Sequence, residues 1–398
     1  MHHETNWRGW TVVFSALGIN LILGILYSWS VIQMALVNQW GWSHTEASLP
    51  YTISVAVFAV VMIFAGRAQD RFGPGPVAML GGILLGGGLI VSSLSTDPAV
   101  ITLAFGIAGG MGIGLGFSAG TPCAIKWFEP GRKGLIAGIV VSGVGLSPVY
   151  IAPLANSLLR TRGIENTFLY LGLLALAGIT LLSLLLRNPP SRYTSDGSIP
   201  APSPPGETDF TWREMLKTRS FYLLWLSFLL SSAAGLMLIV HLAGIALLQA
   251  GWQAGYILIV ILSIFNAAGR LTGGMLSDRA GRTRALVIVF LVQAVNMLLF
   301  AFYRNIPALI AGSAIAGLAY GSVFAIFPAA TADMFGLRNF GVNYGLVFTG
   351  WGIAGVTGPV LGAVAVDSGG TYTVSYLISV LMLGAGLLVA RNLSPPGK

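Results

Sequence analysis

The chain has 398 residues, of which 55% are hydrophobic and only 9% charged, with a formal net charge of +8 and a mean hydropathy of +0.81. A soluble domain carries about 25% charged residues, so the composition excludes a soluble globular protein and predicts an integral membrane protein. The single cysteine, Cys123, excludes an internal disulfide framework.

Apolar windows of about 20 residues, the length that spans a ~30 Å hydrocarbon layer, recur twelve times along the chain. They lie near 10–32, 46–66, 75–94, 98–124, 135–158, 167–186, 220–248, 253–275, 285–303, 306–331, 341–365 and 371–390. Short alternating strands are absent, so helices rather than a closed barrel are expected to satisfy the backbone. The 53 glycines fit this reading, because glycine lets membrane helices approach closely. The run "GGMGIGLG" (109–116) superficially matches a dinucleotide fingerprint, but no strand precedes it and helix packing explains it better. No small-residue cleavage site follows the full-length first window, so no cleaved signal is expected.

The connections alternate between two sides. One side, which includes both termini, holds seventeen Lys and Arg residues; the other holds only Arg160, Arg162 and Arg304. The positive-inside rule then places both termini in the cytoplasm of a multi-pass protein of the cell (inner or plasma) membrane. Basic loops facing anionic lipid account for the net charge, so no nucleic-acid partner is implied and no obligate protein partner is inferred.

Between the sixth and seventh windows, "NPPSRYTSDGSIPAPSPPGETD" (188–209) reads as a flexible linker, and "FTWREMLKTRSF" after it as a short surface helix. The expected organisation is an N-terminal six-helix bundle over 1–187, a linker and surface helix over 188–218, and a C-terminal six-helix bundle over 219–398. The bundles repeat each other. "GRAQDRFG" (66–73) aligns with "GMLSDRAG" (274–281), placing Gly66, Asp70, Arg71 and Gly73 over Gly274, Asp278, Arg279 and Gly281. Parallel repeats of this kind are the architecture of secondary transporters, with the substrate site near midplane.

"GRAQDRFGPG" and "GGMLSDRAGRTR" resemble the loop motif that the major facilitator superfamily carries between helices 2–3 and 8–9. "KWFEPGRKGLIAGIVVSGVGL" (126–146), with "GWTVV" and "LYSWSV" of the first window, is similar to the oxalate/formate antiporter and monocarboxylate transporter branch. The resemblance covers the whole chain. It implies twelve transmembrane helices in two pseudo-symmetric six-helix bundles, an all-α major facilitator fold.

A carboxylate at a helix end can accept hydrogen bonds from the first amides of a neighbouring helix. Asp70, followed by Arg71, is therefore expected to dock on the start of span eleven. Asp278, followed by Arg279, is expected to dock on the start of span five, and together they would form a cytoplasmic gate.

Arg270 lies eight residues before Asp278, or ~12 Å along a helix, well inside a span where a cation is costly. Ser263, Asn266 and Arg270 form one polar stripe at helical spacing. None of the thirteen Asp and Glu residues falls well inside a span, so a transported anion is the expected counter-charge, and the guanidinium fork suits a carboxylate. Related monocarboxylate and oxalate carriers have a substrate-binding arginine in helix eight, and "NAAGR" matches that place. Where oxalate carriers add a helix-eleven lysine, this chain has Trp351. One central cation fits a monocarboxylate such as lactate, pyruvate or formate better than a dianion. Animal monocarboxylate carriers put an acid four residues before the arginine, where this chain has Asn266, which weakens any carry-over of their proton relay. Helices 1, 4, 7 and 10 line the cavity in this superfamily, which adds Tyr27, His241 and Tyr320 as polar-tipped candidates, with Leu146 and Phe324 as an apolar wall.

The four histidines, His2, His3, His44 and His241, are scattered, which gives neither a metal site nor a nucleophile–base pair. No enzyme activity, metal or cofactor is expected, and without a P-loop a gradient must drive transport. Proton symport by alternating access leads, with His241 the one intramembrane side chain that titrates near neutral pH, or with the proton shared over Arg270. Anion exchange is the alternative, and efflux of amphipathic drugs a more distant one.

Overall fold

The computed structural model describes residues 2–190, 209–252 and 254–395. The linker expected over 188–209 lies almost wholly outside the described residues. Among the described residues eleven helices are long and apolar enough to cross a membrane. The longest, Lys133–Ser183, contains Gly163 at φ 84° and ψ 176°, a backbone conformation essentially reserved for glycine. The helix breaks there, and counting its two parts separately gives twelve spans in an all-helical membrane protein.

In chain order the helices are α1 (His2–Leu23), α2 (Trp29–Trp40), α3 (His44–Phe72), α4 (Pro74–Ser92), α5 (Pro98–Ile101), α6 (Gly110–Ile125), α7 (Lys133–Ser183), α8 (Trp212–Met215), α9 (Arg219–Ala250), α10 (Tyr256–Ala280), α11 (Arg282–Phe300), α12 (Ile306–Phe335), α13 (Phe340–Gly369) and α14 (Thr373–Arg391). A tighter turn, Gly24–Ser28, joins α1 to α2, and a wider π-helical stretch, Thr102–Gly109, joins α5 to α6. Hydropathy alone does not reveal either irregularity. The short surface helix after the linker is a single turn, α8, closed by a capping box between Thr211 and Glu214.

The chain forms two compact units. The first comprises Met1–Pro130, Ile139–Asp209 and Gly336–Leu346; the second comprises Gly131–Gly138, Phe210–Phe335 and Val347–Lys398. In the first, Trp29 stacks on Phe105 at 4.5 Å and its indole N–H donates to the Ala47 carbonyl at 3.0 Å. Asn20 Nδ2 donates to the Val140 carbonyl and the Tyr150 hydroxyl to the Leu21 carbonyl, which ties α1 to α7. The glycine run 109–116 is helical from Gly110, with a Cβ at Gly112 meeting Leu85 N at 2.5 Å. That is the close packing small residues permit in lipid.

In the second unit α10 and α12 lie backbone against backbone. A Cβ at Gly321 would land on the Asn266 carbonyl, and one at Gly317 on the Leu262 carbonyl. α9, α11 and α14 pack around this pair. The tight α10–α12 seam holds residues 266–270 at fixed depth and rotation, which positions the candidate site.

Candidate functional site

Arg270 is buried to 1% exposure and Asn266 to 5%. Their i, i+4 spacing puts both on one face of α10, and Arg270 Nε donates to Asn266 Oδ1 at 2.9 Å. The guanidinium carbon stands 4.9 Å over the Phe324 ring, a cation–π contact worth about 2 kcal/mol when desolvated. One contact fixes an edge of the guanidinium and the other its face. Together they fix the plane of the guanidinium. A Cβ at Gly138 would land on the Arg270 carbonyl, so the second turn of α7 lies directly against this part of α10.

Phe324 belongs to an aromatic group. Its ring centroid is 5.2 Å from Tyr320, 5.9 Å from Phe228, 6.1 Å from Trp351 and 6.4 Å from Phe348. Trp351 Nε1 donates to the Tyr320 hydroxyl at 2.9 Å. Five of the expected site residues, Asn266, Arg270, Tyr320, Phe324 and Trp351, are thus brought together within the second unit. The Trp351 indole thus packs into the aromatic group that holds Phe324.

Of the other three, one lies in the second unit and two in the first. His241 belongs to a separate group on α9: its Nε2 faces the Pro359 carbonyl at 2.8 Å, and the Tyr372 hydroxyl approaches its Nδ1 at 3.4 Å. The carbonyl accepts, so Nε2 carries the proton, and both ring nitrogens have protein partners. Tyr27 and Leu146 lie in the first unit. Tyr27 is half-buried in the Gly24–Ser28 turn, and Leu146 is 36% exposed on α7.

Two carboxylates sit on helix starts. Asp278 accepts from the Gly134 and Leu135 amides, each at 2.9 Å, at the first turn of α7. Arg282 Nη1 donates to Asp278 Oδ1 at 2.6 Å and also to Ser277 Oγ, while Arg282 Nε donates to Asp333 Oδ2 at 2.7 Å. Lys133 Nζ completes the chain on Asp333 Oδ1 at 2.9 Å. In the other repeat Asp70 Oδ2 accepts from the Val342 amide at 3.3 Å, with the Gly341 amide beside it, at the first turn of α13. Here Asp70 Oδ1 and both amide atoms of the buried Gln69 have no hydrogen-bond partner among the described residues. The clasps differ because Arg282, first residue of its helix after Gly281 (φ 88°), is replaced at the equivalent place by Pro74 after Gly73 (φ 87°). Arg71 and Arg279, the basic residues of the motif itself, are exposed; Arg71 lies over its neighbour Phe72 at 5.2 Å.

A profile of the Major Facilitator Superfamily matches residues 10–295 and 240–398. The chain belongs to the Major Facilitator Superfamily. It is 30% identical over 353 residues to the uncharacterised MFS-type transporter YhjX of Escherichia coli (strain K12), covering 87% of this chain and 86% of that one. It is 29% identical to the oxalate:formate antiporter of Oxalobacter formigenes, covering 94% and 88% of the two chains. It is 26% identical to monocarboxylate transporter 13 of Rattus norvegicus, covering 96% and 88%. The fold matches that of the superfamily transporter FucP in its outward conformation, with a TM-score of 0.73 at 16% identity over 96% of this chain and 99% of that one. This superfamily member is a multi-pass membrane transporter, not an enzyme.

Within the transporter, sequence reasoning missed Arg282, Asp333, Lys133 and Ser277. The i, i+4 spacing of Asp278 and Arg282 was a usable signal. Nothing local pairs Asp333 with Lys133, 200 residues away.

Proposed function

We propose that this transporter carries small monocarboxylates of the lactate and pyruvate type across the cell membrane, with both termini cytoplasmic, and that Arg270 grips the carboxylate. The observation that carries this reading is the nearly fully buried guanidinium whose edge is set by Asn266 and whose face is set by Phe324. A guanidinium so held loses little further freedom when it forms a bidentate pair. Tyr320 and Trp351 complete an apolar shell with polar tips. An indole where a second cation would stand favours one negative charge over two.

Proton-coupled symport by alternating access is the reading for the energy source, with the proton travelling with the carboxylate over Arg270, since His241 is engaged on both ring nitrogens. Carboxylate exchange is the second reading, favoured by the similarity to an oxalate:formate antiporter. Drug efflux fits a buried cation poorly. In the transport cycle the Asp70 and Asp278 clasps make and break as the gate, and the less satisfied Asp70 clasp releases first.

Thermal-shift titration tests the substrate class. Lactate and pyruvate are expected to stabilise the wild type and leave Arg270→Ala unmoved, while lactamide, the neutral analogue, stabilises neither. Equal stabilisation of both proteins by a neutral or cationic compound sinks the anion reading.

A further inference from the structure

The second unit holds a buried polar group that neither the Arg270 cluster nor the clasps use. Gln293 of α11 is 4% exposed, and neither its Oε1 nor its Nε2 has a hydrogen-bond partner among the described residues. A carboxamide left so bears its full desolvation penalty with nothing in return, and polar side chains inside a span are rarely retained without use. Gln293 opens on a small cavity lined also by Ser231 and Gly235 of α9, Phe290 of α11, Tyr320 of α12 and Leu383 of α14. The space open to the centre of a water-sized sphere is about 10 Å³, close to the minimum that admits one water.

The polar groups around this space match one water. Ser231 donates its hydroxyl proton to the Ser227 carbonyl at 2.8 Å, so its oxygen keeps lone pairs for a donor in the cavity. A carboxamide can close a ring with a single water, its N–H donating to the water oxygen and one water proton returning to the carbonyl. The second water proton then reaches Ser231 Oγ. Three partners is the usual complement of a buried water.

We propose that this cavity binds one water, held between the Gln293 carboxamide and the Ser231 oxygen, and that this water props the Tyr320 ring from behind. Tyr320 has little slack on its other sides. A Cβ at Gly235 would strike its ring, and its hydroxyl is tied to Trp351. Gln293 is then a positioning residue acting through Tyr320 on the Arg270 cluster. The positioning half rests on the proposed substrate site; the water itself does not.

Radiolytic hydroxyl footprinting in ¹⁸O-labelled water, read by mass spectrometry, tests both halves with uptake assays. In the full-length wild type the buried Tyr320 peptide is expected to be labelled by oxygen that exchanges slowly with bulk. Gln293→Met, unbranched and of similar length, should cut that labelling about tenfold, and Ser231→Ala should cut it in part. No slow-exchanging label in the wild type, or the same label in Gln293→Met, overturns the water site. In proteoliposomes Gln293→Met should raise the KM for lactate several-fold with kcat retained. Lost labelling with an unchanged KM overturns the positioning role. If the wild type takes up no carboxylate, the substrate reading fails, while the footprinting result still decides the water.

Discussion

Replacing Asp278 by Asn should disturb the protein far more than replacing Asp70 by Asn, although the two occupy equivalent places in the repeat. Asp278 is almost fully buried, at 7% side-chain exposure, and its two oxygens take two amides at 2.9 Å and Arg282 at 2.6 Å. Hydrogen bonds to a charged group contribute about 1.5–3 kcal/mol each. The Asn side chain keeps one acceptor, turns an N–H toward a backbone N–H, and takes the Asp278 charge from Arg282, which keeps Ser277 Oγ and Asp333. Breaking a buried pair costs about 3–5 kcal/mol, and the retained Asp333 contact places this case near 3 kcal/mol. Asp70 has a long bond to Val342 and one oxygen without a partner, so its loss should cost about 1 kcal/mol. The assay is amide hydrogen exchange by mass spectrometry on peptides covering residues 133–138 and 340–345. At 1.4 kcal/mol per tenfold, Asp278→Asn should speed exchange at 133–138 about a hundredfold, and Asp70→Asn should speed it at 340–345 only about fivefold. Equal deprotection of both segments, or none at 133–138, would refute the reasoning.

Three further outcomes follow from the same geometry. Gly138→Ala places a methyl on the Arg270 carbonyl and should reduce carboxylate uptake about tenfold or more in protein that still folds, whereas Gly384→Ala, which points into open space, should be silent; uptake and thermal stability measured side by side separate the two. His241→Gln, whose amide can still donate to the Pro359 carbonyl, should retain proton-coupled uptake within about twofold, and loss of coupling with transport intact would return the proton to His241. Phe324→Leu removes the face contact of the guanidinium and should raise the KM for lactate about thirtyfold, as a desolvated contact of ~2 kcal/mol implies.

What the amino-acid sequence makes legible follows physical range. The spans were legible because lipid demands long apolar helices. The Asn266–Arg270 contact was legible because i, i+4 neighbours share a face. The interruptions were not: Gly24–Ser28, Thr102–Gly109 and Gly163 leave hydropathy unchanged and are backbone solutions to packing. Phe324 and Trp351 were named from the resemblance, but that one lies under the guanidinium depends on the α10–α12 seam, and that the other bonds Tyr320 depends on how α13 meets α12. His241 looked like a site residue because its chemistry suits one, and the Pro359 carbonyl that engages it lies 118 positions away. Gln293 left no signal, since a lone glutamine in an apolar span has no periodicity to betray its surroundings.

The central claim is that Arg270 binds a single carboxylate, and the direct measurement is uptake of radiolabelled lactate into proteoliposomes under an inward proton gradient. Wild type should show saturable uptake that pyruvate inhibits more strongly than oxalate. Arg270→Gln should lower kcat/KM about a hundredfold, the loss of a bidentate charged pair, while remaining folded. Wild-type rates in Arg270→Gln, or oxalate displacing lactate more effectively than pyruvate does, would contradict it.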